Sequence, residues 1–220
     1  MKIALLGGTG DLGKGLALRL SEKHEVIVGS REKEKAKRLA EEYIEEGKRY
    51  GFSLKITGAT NQEAIDQAET IIITIPYNVL PEFLITLKNY EGKLVISPVV
   101  PMEKTKEGFT YVPYKVDGRE LSAAELISST LKGAEVVSAF HTVPAVKLAD
   151  LSQKISYDVL VAADKRESYE RASEIISSIE GLKPYYAGRL SVSKYLEMLT
   201  PLLLNIAINS KLHAPSLKIV

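Results

Sequence analysis

The stretch "LLGGTGDLGKGLALRL", residues 5–20, limits what this chain can fold into more than any other part of it. An apolar run, Ile3 to Leu6, leads into it, and Leu12, Leu16, Ala17 and Leu20 then recur at helical spacing. The order is strand, glycine turn, helix. Gly8, Gly10 and Gly13 carry the G-x-G-x-x-G spacing. In a dinucleotide-binding turn the first glycine makes the bend, the second lets backbone approach a pyrophosphate, and the third lets the helix pack on the strand. The helix start adds free N–H groups and the positive end of a dipole, both suited to phosphate. The spacing alone also occurs in plain turns; the flanking strand and helix make nucleotide binding the expectation here.

The rest of the chain alternates in the same way. Strands are expected near residues 24–28, 54–57, 70–75, 93–97, 135–140, 157–162 and 182–186, with helices near 32–46, 61–68, 79–87, 122–131, 167–179 and 191–208. The run "TIIITI" at residues 70–75 is β-branched throughout and reads as a buried parallel strand. Ser122 and Glu125 have capping-box spacing, and Asn61 is a candidate N-cap. Residues 102–121 lack periodicity and read as an irregular connection or hairpin insertion, with a lid as one use for it. The pattern predicts an α/β fold of Rossmann type, a doubly wound, mostly parallel sheet with a small C-terminal helical extension. The expected division is a dinucleotide-binding domain over residues 1–145 and a smaller α/β extension over 146–220. Its helix around "LTPLLLNIAI" is apolar on most sides and needs cover, either as an ordinary buried helix or as a homodimer contact.

Composition narrows the function. A net charge of +1 in 220 residues gives no general basic surface for nucleic acid. With no cysteine in the chain, disulfides, thiolate metal sites and cysteine nucleophiles are excluded, and no metal site is expected. The longest apolar stretch, residues 198–208, is broken by Thr200, Pro201 and Asn205 and is short for a membrane span of about 20 residues. A cytoplasmic protein with small-molecule partners is expected.

The cofactor type is read at the end of the second strand. Recognition of NAD there uses an Asp or Glu on the ribose 2′-OH. This chain has "VGSREKEK", with Ser30 and Arg31 at that place and Lys35 about one turn later, which suits a 2′-phosphate and so NADP(H). Lys33 and Lys37 read as solvated helix charges. For the chemistry, His141 in "SAFHTVPA" is the histidine placed near the carboxyl ends of the strands, where cofactor crevices form. It is a candidate for positioning rather than proton transfer, with a backbone-bonded core histidine as the alternative. Hydride transfer from carbon to carbon between two bound cofactors needs little acid–base machinery, because positioning supplies most of the catalysis.

Taken in order, "MKIALLGGTGDLGKGLALRL", "GSR", "TIP", "SPVVP", "SAAE", "SAFHTVPA" and "LTPLLLNI" resemble the archaeal coenzyme F-420-dependent NADP reductases over essentially the whole chain. The resemblance implies an NADPH:8-hydroxy-5-deazaflavin oxidoreductase and a compact homodimer. It places Gly8, Thr9, Gly10, Asp11, Leu12 and Gly13 at the pyrophosphate, and Ser30, Arg31 and Lys35 at the 2′-phosphate. It implies that Ile75, Pro76 and Tyr77 run along the cofactor. Ser138, Ala139, His141, Val143 and Pro144 are implied on the deazaflavin side, with Leu199 and Pro201 closing the pocket. Tyr77, where family members often have Trp, and the tail "NSKLHAPSLKIV" depart from the family pattern. Two other readings stay open at this point: an NADP-dependent reductase of another small acceptor (flavin, ferric complex, imine or keto acid), and a non-catalytic NADP-binding sensor.

Overall fold

The computed structural model describes residues 1–220. Its first half alternates strand and helix: β1 (Lys2–Leu6), α1 (Asp11–Leu20), β2 (Glu25–Ser30), α2 (Lys33–Arg49), β3 (Ile56–Thr60), α3 (Asn61–Gln67), β4 (Thr70–Ile73), α4 (Leu80–Leu84) and β5 (Leu94–Ser97). Four short strands follow, β6 (Met102–Thr105), β7 (Gly108–Tyr111), β8 (Tyr114–Val116) and β9 (Arg119–Leu121). The remainder is α5 (Ala123–Thr130), β10 (Glu135–Ser138), α6 (Ala145–Ala149), β11 (Tyr157–Ala163), α7 (Arg166–Ser177), β12 (Leu182–Gly188) and α8 (Ser193–Ser210).

Eight strands form one sheet in the order β12-β11-β10-β5-β4-β1-β2-β3. All pairs are parallel except β10 with β11. The central strands β4 and β5 are buried along their whole length, as their runs "TIII" and "LVIS" require of strands covered on both faces. One core face gathers Leu5, Leu16, Leu18, Val28, Tyr43, Ile72, Ile96, Val161 and Ile176; the other gathers Leu6, Ile65, Ile71, Ile73, Leu80, Val95 and Ile127. Helix α2 shows the sequence logic plainly, since Ala36, Ala40, Tyr43 and Gly47 fall on one buried stripe of an otherwise charged helix.

The strand order reverses between β1 and β4, which opens a crevice at the carboxyl ends of the sheet. The later strands β11 and β12 extend the same sheet, and Val159, Val161 and Leu182 join the same core as Ile3 and Leu5. Only Val137↔Ala163 and Ser138↔Ala162 pair β10 with β11, so residues 157–161 overhang the end of β10. Residues 102–121 are two hairpins. The second turns at Asp117 (φ 49°) and Gly118 (φ 75°), the left-handed pair that a two-residue Asp-Gly loop supplies. No helix is long and apolar enough to cross a membrane.

Candidate functional site: a two-part groove at the strand ends

Two cavities meet at Thr74, Ile75, Pro76 and Asn78, forming one groove across the carboxyl ends of β1, β2 and β4. The first part, about 950 Å³, is polar and is lined by Thr9, Gly10, Ser30, Arg31, Lys35 and Asn61, among others. The second, about 730 Å³, is mostly apolar and includes Leu12, Val99, Met102, Phe140, Val143, Leu203 and Pro215 in its wall.

The glycine turn is built for an anion. A Cβ on Gly13 would sit 2.5 Å from the Cα of Gly8, so only glycine lets α1 start this close to the end of β1. A Cβ on Gly10, by contrast, would meet no protein atom nearer than 4.0 Å; it would stand in the open groove where a phosphate needs access. The backbone N–H groups of Thr9, Asp11 and Leu12 donate to no other part of the protein, while those of Gly8 and Gly10 close the turn onto Leu5, Gly29 and Gly7. Asn61 supports this loop from beneath: its Oδ1 accepts the N–H of Gly7 at 3.2 Å. The sequence suggests Asn61 as an N-cap. Thr60 holds that place instead, in a capping box with Glu63, which frees the Asn61 side chain for the longer-range bond.

Charge at the end of β2 is distributed unevenly. Lys33 pairs with Glu63 and Lys37 with Glu34, whereas Arg31 and Lys35, which line the groove, form no ion pair. Ser30 sits beneath them, its Oγ accepting the N–H of Glu32 at 3.2 Å. An open backbone cradle at a helix start with two uncommitted cations about one turn away fits a dinucleotide bearing a 2′-phosphate.

The apolar half is assembled from more distant pieces. Phe140, 1% exposed, holds a φ of 72°, a left-handed conformation that a bulky residue adopts only when its surroundings impose it. It turns the chain after β10 so that His141, Thr142, Val143 and Pro144 face the groove. His141 is buried, and its Nε2 lies 3.4 Å from Ser138 Oγ. Burial holds its pKa down to about 3, so the ring is neutral near pH 7. Thr200 donates through Oγ1 to the carbonyl of His141 at 2.8 Å, tying α8 to this loop.

Helix α8 is tied down a second time by Glu197, which is fully buried. Its carboxylate accepts the N–H groups of Ala123 and Ala124 at the start of α5, at 3.0 and 3.2 Å, and the hydroxyl of Tyr111 at 2.8 Å. Burial pushes this carboxyl up to about 7 against those donors. Asn205 completes the attachment by bonding both backbone groups of Phe109, at 2.7 and 2.8 Å, so the first hairpin is pinned to α8. Tyr77 reaches Glu103 of the same hairpin at 3.1 Å.

The groove thus gathers Thr9, Gly10, Ser30, Arg31 and Lys35 in its polar part, Asp11, Leu12, Tyr77, His141, Val143 and Pro144 in its apolar part, and Ile75 and Pro76 in both. Gly8 and Gly13 shape the turn without lining the groove, and Ser138 and Ala139, both fully buried, stand behind the wall. Leu199 and Pro201 do not line it; the phase of α8 presents Thr200, Leu203 and Leu204 instead. Asn78, Met102, Ala214 and Pro215 also line the groove, and Asn61 joins it in a role other than capping; their places depend on contacts between distant segments.

Residues 2–101 match a family profile described as "NADP oxidoreductase coenzyme F420-dependent". The "F420-dependent NADP reductase" of Methanothermobacter marburgensis is 38% identical over 223 residues, covering 100% of this chain and 98% of the relative. That of Methanocaldococcus jannaschii is 35% identical, again over 100% and 98% of the two chains. A crystal structure from Arthrobacter sp. FB24, described as a candidate F420-dependent NADP reductase, has a TM-score of 0.80 at 22% identity, covers 100% and 99% of the two chains, and speaks to the fold. An imine reductase from Myxococcus stipitatus in complex with NADP+ shares the fold at a TM-score of 0.64 and 13% identity, but this chain, 96% of it aligned, spans only 64% of that one. With full-length relatives at this identity, the chain belongs to the coenzyme F-420-dependent NADP oxidoreductase family.

Proposed function

We propose that this protein transfers hydride between NADP(H) and the 8-hydroxy-5-deazaflavin coenzyme F-420, as a cytoplasmic homodimer. The observation that carries the reading is the groove itself, a polar part with uncommitted Arg31 and Lys35 that shares Thr74, Ile75, Pro76 and Asn78 with an apolar part of about 730 Å³.

The division of labour follows from the residues. Thr9, Asp11 and Leu12 offer free N–H groups to the pyrophosphate, and α1 adds its positive end. Ser30, Arg31 and Lys35 take the 2′-phosphate. Ile75, Pro76 and Tyr77 guide the chain of the cofactor from the polar to the apolar part. There, Leu12, Val99, Val143 and Leu203 line the cavity and would exclude water from the two cofactor rings. When bound, the pair supplies its own chemistry, hydride moving between nicotinamide C4 and deazaflavin C5. His141, neutral and held by Ser138, orients rather than protonates. Residues 1–145 supply the NADP-binding part and residues 146–220 complete the acceptor pocket.

The test is anaerobic stopped-flow mixing of protein, NADPH and F-420, with NADH as control. Rapid loss of deazaflavin absorbance with NADPH and slow loss with NADH is expected. Tight NADPH binding without bleaching would turn the search to another small acceptor.

A further inference from the structure

The chain does not stop at the end of α8. Lys211, at φ 52°, breaks the helix, and Ala214, at φ 51°, turns the chain again so that Ala214 and Pro215 enter the wall of the apolar cavity. From there the tail is anchored three times. Ser216 Oγ donates to the carbonyl of Thr142 at 2.7 Å, Leu217 O accepts the N–H of Asp158 at 3.3 Å, and the N–H of Ile219 donates to Asp158 Oδ2 at 2.6 Å. Lys218 Nζ adds an ion pair, 3.5 Å from Asp158 Oδ1.

Asp158 is the unusual member of this group. It is fully buried, on the part of β11 that overhangs β10, where no strand neighbours it on that side. A buried carboxylate is costly unless it is paired and hydrogen-bonded. Every hydrogen bond and ion pair of this carboxylate comes from residues 218 and 219 of the tail; Lys183, its cross-strand partner on β12, lies outside ion-pair distance. Without the docked tail, Asp158 would be a charge in the sheet with no counterpart. The carboxylate and the tail therefore hold each other.

We propose that Asp158 is a positioning residue for the acceptor: by anchoring residues 216–219 as a strap along the open edge of β11, it fixes Ala214 and Pro215 as one wall of the pocket. The proposal rests on the acceptor reading of the apolar cavity given above. It is directional, because the polar cavity is lined by no residue beyond Leu87, so the strap shapes acceptor binding and leaves the 2′-phosphate and pyrophosphate contacts alone.

Two substitutions in the full-length protein test it. Asp158→Asn removes the charge, and Ile219→Pro removes the N–H that the carboxylate accepts and restricts the backbone of Lys218 before it, at an exposed position. The first measurement needs no ligand: carboxypeptidase digestion followed by mass spectrometry, which reports how firmly the tail is docked. Each variant is expected to lose residues back to about 214 several-fold faster than wild type. The second is steady-state kinetics with NADPH and F-420. Each variant is expected to raise KM for F-420 about tenfold, the size of effect that loss of a hydrogen bond to a charged group produces, with the Kd for NADPH changed less than about threefold. The double variant should cost less than the two single effects combined, since both substitutions loosen the docking of one strap. Additive effects, a tail that stays protected in both variants, or faster digestion with an unchanged KM would each overturn the proposal. If wild-type protein does not reduce F-420 at all, the acceptor reading fails, while the digestion still shows whether Asp158 anchors the tail.

Discussion

Replacing Arg31 with alanine probes cofactor choice at its narrowest point. The guanidinium is exposed, lines the polar cavity and has no carboxylate partner, so its removal breaks no contact within the protein. Two unit charges about 4 Å apart contribute roughly 1 kcal/mol in water and roughly 4 kcal/mol at the effective dielectric near a protein surface. A hydrogen bond to a charged group falls in between, at about 1.5–3 kcal/mol, and exposure places Arg31 at the lower end. The expected loss for NADPH is therefore about 1.5 kcal/mol, or roughly tenfold in Kd. NADH lacks the 2′-phosphate and should bind within about twofold of its wild-type affinity. Titration of both cofactors by fluorescence, at low and at high salt, checks the assignment. The gap between wild type and variant should narrow as salt rises, because the pair is open to solvent. Equal losses for NADPH and NADH would refute the reasoning.

Three further perturbations address other parts of the account. Gly15→Ala places a Cβ 2.5 Å from the Cβ of Leu148, so overpacking should cost about 1–3 kcal/mol, lower Tm, and weaken F-420 more than NADPH, since α6 follows directly on Pro144; an unchanged Tm would contradict the close α1–α6 packing. His141 titrates at about 3 in the fold against an ordinary 6.5, so the unfolded chain takes up its proton first. This contribution to stability is complete above pH 6.5 and is lost as pH falls from there to about 3; about 2 kcal/mol should be gone by roughly pH 5. In denaturant titrations wild type should therefore lose about 2 kcal/mol relative to His141→Gln between neutral pH and pH 5, and parallel curves would exclude the effect. Tyr195, Met198, Leu202 and Ile206 are exposed on one stripe of α8, so Leu202→Glu should halve the mass seen by light scattering if that stripe joins two copies, and leave it unchanged if it does not.

The fold was legible where the information is local. The turn at Gly8 to Gly13, the buried run of β4, the capping box of Ser122 and the Ser30–Arg31 pair each depend on a few neighbouring residues. Direction was less legible: β11 carries a mostly buried apolar run, VLVAA, like the parallel strands of the sheet, and nothing in its own pattern shows that it runs against β10. The hairpins of residues 102–121 did carry a signal in the Asp117-Gly118 pair, which a search for helical or strand periodicity passes over. Helix α8 posed a different problem. Being apolar on most sides, it gives no indication of which face meets the groove; Glu197 and Asn205 set that phase by bonding to α5 and β7. Asn61 and Asp158 look ordinary in sequence because their partners lie 54 and 61 residues away.

Direct hydride transfer between the two cofactors is the central claim, and isotope transfer tests it most directly. NADPH deuterated on the transferred position of nicotinamide C4 is mixed anaerobically with the protein and oxidised F-420 in ordinary water, and the reduced deazaflavin is weighed by mass spectrometry. The account predicts a gain of one deuterium on the deazaflavin, undiluted by solvent, and the same result with His141→Gln at whatever rate that variant retains. Reduced deazaflavin whose new C5 hydrogen comes from water, or no reduction with NADPH bound, would contradict it.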